Sequence, residues 1–124
     1  HDLTPLLKDP QSDWDHPAMT VFTGRMYGEN THQIPDDPDQ HYLNGVPWYV
    51  SLRQGKYKYI RTLVEGEIEE LYDINRDREE LTNLALDRGY SDQLKQMRAG
   101  TIDEMKRTGW KLVDNLPKIR EEAK

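Results

Sequence analysis

No cysteine occurs among the 124 residues, which excludes disulfides, thiolate zinc sites and a thiol nucleophile and leaves the redox compartment open. Long apolar runs are also missing. None approaches the roughly 20 residues of a membrane span, and no signal-type apolar segment opens the chain. Hydrophobic residues reach only 35% and charged residues 32%, with a mean hydropathy of -0.99. That composition allows one modest core under a heavily charged surface. The net charge of -6 has the wrong sign for nucleic acid, whose phosphates need a concentrated basic field. A local basic patch facing a sulfated polyanion is compatible with it. The chain opens on His1-Asp2-Leu3-Thr4-Pro5 without an initiator methionine, as expected of a piece of something longer.

What is present is well punctuated. "LTPLLKDP" (3–10) reads as a helical turn stopped by Asp9-Pro10, because proline drives the preceding residue out of the α region. "MTVFTGRM" (19–26) reads as a strand. Residues 28–45 are rich in Gly, Asn, Asp and Pro without any period, and read as a long loop. "VPWYVSLR" (46–53) and "KYKYIRTL" (56–63) flank Gln54-Gly55, a two-residue hairpin signal. That turn sets Leu52 opposite Tyr57, Val50 opposite Tyr59 and Trp48 opposite Arg61, all on the core face. It also sets Arg53 beside Lys56 at the hairpin tip. "EIEELYDI" (67–74) supplies a third strand, whose acidic residues suit the basic one beside it.

Asp77 and Glu80 form a capping-box pattern for a short helix through Leu81 and Leu84. Ser91 can cap a longer one, with Leu94, Met97, Thr101, Ile102 and Met105 on its apolar face and Gly109 as its stop. Gly100 inside that helix costs about 1 kcal/mol against alanine, so a packing reason for it is expected. The fold class is therefore α+β, a small antiparallel sheet of about four strands packed with a C-terminal helix. Residues 1–124 form one unit, with 1–18 as a lead-in segment, 19–109 as sheet and helices, and 110–124 as a C-terminal arm.

"GKYKYI", "EELYDI" and "NRDREELTNLA" in succession resemble the C-terminal subdomain of the formylglycine-dependent sulfatases, and "LTPLLKDP" and "MKRTGW" strengthen the likeness. The resemblance covers roughly residues 2–113. It departs from the family pattern at Arg78, where proline often opens the short helix. The resemblance implies hydrolysis of sulfate esters or sulfamates by a parent chain, in the periplasm or outside the cell. It implies a formylglycine made from Cys or Ser in a Cys/Ser-x-Pro-x-Arg motif, and a divalent cation such as calcium. Neither can be placed here: no proline stands two positions after Ser12, Ser51 or Ser91. No catalytic and no metal-binding residue is therefore assigned. The expected partner is the N-terminal catalytic domain, with a sulfated carbohydrate as the parent's substrate and self-association of the exposed face.

A sulfated sugar calls for cationic or hydrogen-bonding groups and an aromatic face. Arg25, Tyr27, His32 and His41, in or beside the 28–45 segment, are the substrate-rim candidates. Solvated loop residues are the plainer interpretation of the same four. Asp36, Asp37 and Asp39 lack the glycine and the distant glutamate of a calcium loop, and His1 and His16 have no partners at ligand spacing. Trp14, Trp48 and Trp110 could each stack on a sugar, Trp48 least so because it falls on the core face. A free-standing α+β binding or interaction module is the alternative reading of the whole chain.

Overall fold

The structure is a computed structural model describing residues 1–120; the last four residues of the C-terminal arm lie outside the described residues. Alternation of apolar and polar side chains builds an antiparallel sheet from β1 (Ala18–Phe22), β4 (Tyr49–Gln54), β5 (Tyr57–Thr62) and β6 (Glu70–Asp73), in the order β1-β4-β5-β6. Two short strands, β2 (Tyr42–Leu43) and β3 (Val46–Pro47), form a separate hairpin. The helices are α1 (Thr4–Lys8) and α2 (Ser91–Arg107). Neither is long and apolar enough to cross a membrane.

The core face of the sheet is the expected one, but the register is not. Trp48, Val50, Leu52 and Tyr59 are fully buried, yet Leu52 pairs with Tyr59, Val50 with Arg61 and Gln54 with Tyr57. The turn is Gly55-Lys56, not Gln54-Gly55. Gly55 has φ +58, and a two-residue turn with glycine first is the II′ geometry that matches strand twist. A slip of two residues keeps every side chain on its face, which is why the core survives the error. The Arg53–Lys56 pair does not form; Arg53 faces Lys58 instead.

Three further expectations change. Ser91 does not cap α2: its hydroxyl donates to Arg88 O at 2.9 Å, and the helix opens after Tyr90 with no side-chain cap. The Asp77–Glu80 capping box starts no helix. The Asp77 carboxylate accepts from the N–H groups of Leu81 (3.0 Å) and Thr82 (2.9 Å), closing a loop, and Glu80 is left-handed at φ 56. Without proline at position 78 the first turn has no pre-set φ, and Glu80 turns its carboxylate to Lys58 Nζ at 2.7 Å. The 28–45 segment is not featureless either. It holds 3₁₀ turns at Gly28–Thr31 and Pro38–Gln40 and the β2–β3 hairpin.

The helix packs on the sheet through Leu94, Met97, Thr101 and Met105. A Cβ on Gly100 would stand 3.1 Å from Leu52 Cδ2 and 3.3 Å from Gln54 Oε1, so close approach to β4 is the packing reason for that glycine. The helix ends in a Schellman motif: Gly109 (φ +71) donates to Lys106 O, and Trp110 N donates to Met105 O at 3.0 Å. The motif folds Trp110 and Leu112 back into the core beside Met105. The arm stays docked through Pro117, whose carbonyl accepts from Arg61 at 3.0 Å.

Tyr59 is fully buried whereas Lys58 is partly exposed beside Glu80. Tyr59→Ala should cost about 3–5 kcal/mol and Lys58→Ala about 0–1 kcal/mol. Urea midpoints measure both, and equal midpoints would contradict the face assignment. Asp73 gives a pH prediction. Burial alone would raise its carboxyl, but bonds from Arg76 N, Lys56 Nζ and Asn75 N more than offset this and hold it below its ordinary 3.8. A carboxyl depressed in the folded state contributes stability above its unfolded value of about 3.9 and loses it as pH falls through the folded value. The urea midpoint should therefore drop on acidification below about pH 4, and the drop should be shallower in Asp73→Asn. An unchanged slope in the variant would count against this role.

Candidate functional site

The 28–45 segment leaves β1 at a sharp bend. Gly24 has φ +60, and a Cβ there would lie 3.3 Å from Trp48 Nε1, so the chain turns close against the N–H edge of the buried indole. That indole N–H has no acceptor among the described residues. Thr23 Oγ1 donates to Met26 O at 2.9 Å and Thr31 Oγ1 to Gly28 O at 2.7 Å, bracing the first turn. Asp37 accepts from Asp39 N at 3.0 Å and opens the second. The segment closes at Asn44-Gly45, both with positive φ (52 and 78). This is the I′ hairpin turn that Asn-Gly favours.

Long-range bonds hold the loop to the C-terminal end of the core. Trp110 Nε1 donates to Thr31 O at 2.9 Å, and Lys111 N donates to His32 Nδ1 at 3.1 Å. The second bond makes Nδ1 an acceptor, so a neutral His32 carries its proton on Nε2. His41 Nε2 donates to Pro35 O at 2.6 Å, while its own carbonyl accepts from Trp48 N at 3.0 Å. Met26 and Ile34 pack against the buried cluster of Trp48, Met105, Trp110 and Leu112.

Among the described residues, Arg25 and Tyr27 line two different pockets. Arg25 is exposed and lines a cavity of about 490 Å³ with Asp39, Gln40, Tyr42 and Asn44. Tyr27, also exposed, lines a more apolar groove of about 560 Å³ with Met19, Val21, Phe22 and Trp110. Met26 borders both. His32 and His41 brace the loop through the bonds above. Arg25 thus has polar neighbours that can orient a hydroxylated ligand, and Tyr27 an apolar shelf.

Several participants escape the sequence. Tyr42 joins the Arg25 cavity and donates to Glu67 Oε1 at 3.0 Å, a bond that raises the phenol above its ordinary value. The Asn44-Gly45 pair was the signal for this hairpin. Trp110 is nearly buried and bonded to the loop, so its face is not free for a sugar. His1, distant in sequence, meets Trp14 and His16 in space. His1 stacks on His16 at 4.4 Å, Trp14 meets His16 edge-on at 5.1 Å, and His1 Nε2 lies 3.4 Å from Glu104 Oε1. No group of three or more His, Cys, Asp or Glu among the described residues could hold a metal ion.

No family model and no curated protein matches the chain. Among solved structures, the fold is similar to that of BT4656 in complex with its substrate D-glucosamine-2-N,6-O-disulfate. The TM-score is 0.61 and the identity 20%, over 96% of this chain and 21% of that one. The likeness shows the fold: an α+β unit spanning about a fifth of the length of the larger protein.

The loop's anchoring can be tested directly. Trp110→Phe keeps an aromatic ring in the core and removes the donor to Thr31, at about 1 kcal/mol for the bond alone, and should speed proteolysis within 28–41. Cleavage at the parental rate would contradict the anchor.

Proposed function

We propose that this chain is the C-terminal subdomain of a formylglycine-dependent sulfatase, supplying scaffold and part of the substrate rim, not the catalytic centre. The observation that carries the proposal is the fold match over 96% of this chain to 21% of a protein solved with a disulfated glucosamine. The order "GKYKYI", "EELYDI", "NRDREELTNLA" supports it independently. In this reading the parent hydrolyses sulfate from a glycan, in the periplasm or outside the cell, with a formylglycine and a divalent cation such as calcium held by the N-terminal domain. Arg25 is the group for a sulfate or hydroxyl, and Tyr27 the aromatic edge. His32 and His41 act mainly by fixing the loop that carries both.

The surface toward the catalytic domain is proposed along Leu3, Leu7 and Val21, which are 56%, 83% and 46% exposed, with the half-buried Leu6, Met19 and Phe22. Apolar residues left open at this level mark an interface when they are contiguous. The chain alone should therefore self-associate, and light scattering over a concentration series should show mass rising with concentration. A strict monomer would count against that surface.

The chain alone should not turn over an activated aryl sulfate with calcium present. Sustained turnover that survives repurification would overturn the subdomain reading. A reading frame that continues upstream into a Cys/Ser-x-Pro-x-Arg motif is the result expected at the gene level.

A further inference from the structure

The face of the sheet away from α2 carries a second polar pocket, of about 590 Å³. It is lined by Thr20 of β1, Ser51 and Arg53 of β4, Lys58 of β5, and Asn75, Arg78 and Glu80 of the connection after β6. Period-two alternation opposite the buried Val50, Leu52 and Tyr59 places the strand residues there. Arg53 and Lys58 are direct cross-strand partners, an unfavourable juxtaposition of like charges. Lys58 is answered by Glu80 at 2.7 Å. Arg53 and Arg78 have no ion-pair partner among the described residues. Three cations against one carboxylate leave a surplus of positive charge, on a chain whose net charge is -6.

The loop that brings Arg78 there is held in place. Asp77 bonds two backbone N–H groups, and Glu80 keeps a left-handed backbone that is uncommon outside glycine. Guanidinium forks match tetrahedral oxyanions in a bidentate manner, and the Thr20 and Ser51 hydroxyls and the Asn75 amide add neutral donors around them. The geometry points to a binding site for a small molecule bearing a sulfate or phosphate group, centred on Arg53 and Arg78. It is separate from the rim: none of its lining residues lines the Arg25 cavity or the Tyr27 groove. It does not rest on the sulfatase reading.

The test is an amide-resolved NMR titration of the chain with inorganic sulfate and inorganic phosphate, against chloride at matched ionic strength. Saturable shifts are expected at Ser51, Arg53, Asn75 and Arg78. The dissociation constant should rise about tenfold in Arg53→Gln and in Arg78→Gln, the loss of one charge-assisted contact, and stay unchanged in Lys95→Gln, an exposed cation of α2. Both arginines are exposed, and the same spectra check that each variant is folded. Glucose 6-sulfate and glucose 6-phosphate, run in parallel, distinguish a preference for an ester from one for the free ion. Non-saturable shifts equal to those with chloride, or wild-type affinity in both variants, would overturn the site. The first of these is also the outcome expected if the two arginines instead meet acidic groups of a neighbouring domain.

Discussion

The carboxylate of Glu69 is the point at which sheet and helix are fastened together. It lies just before β6, 7% exposed, and accepts from Tyr59 Oη on β5 at 2.7 Å, from Arg98 Nε on α2 at 3.0 Å and from the second arm of the same guanidinium. Burial, and then Glu69 itself, push the Tyr59 phenol up; the carboxylate bond pushes Arg98 up. The Glu69 carbonyl accepts from Asn83, whose own oxygen takes the N–H groups of Leu71 (2.9 Å) and Ala85 (3.0 Å). One buried acid therefore ties β5, β6, α2 and the 83–85 turn. An anion in that position is tolerable only because every partner is present, and losing one leaves a buried charge uncompensated.

The rest of the molecule follows from how α2 is then placed. With α2 lying on β4, its Schellman end returns Trp110 to Trp48 and Met105, and Trp110 in turn holds Thr31. The 28–45 segment is thus positioned from the far end of the helix, through an indole bond and a backbone bond to His32. Arg25 and Tyr27 therefore lie beside a segment that is braced by bonds to the C-terminal end of the core.

The sequence made the frame legible where periodicity and burial agree. Trp48, Val50, Leu52 and Tyr59 could be placed on one face because alternation alone decides the face, even when the turn is misplaced by one residue and the register by two. Gly100 and Gly109 were legible because a glycine inside or after a helix needs a reason. The Asp77–Glu80 pattern misled because the same carboxylate that caps a helix can close a loop, and tertiary pairing of Glu80 with Lys58 decided between them. The candidate site was less legible. Asn44-Gly45 was available as a hairpin signal, but nothing local in His32 or His41 shows that they would be engaged by Lys111 and Pro35. The meeting of His1 with His16 is likewise tertiary.

A double-mutant cycle on Glu69 and Arg98, read by urea unfolding, tests this arrangement most directly. Glu69→Gln, Arg98→Gln and the double variant should show a favourable coupling of about 0.5–3 kcal/mol, the range for contacting partners in one network, with the double variant more stable than the sum of the singles predicts. Additive losses within about 0.3 kcal/mol would show that sheet and helix hold together without this carboxylate, and would contradict the account.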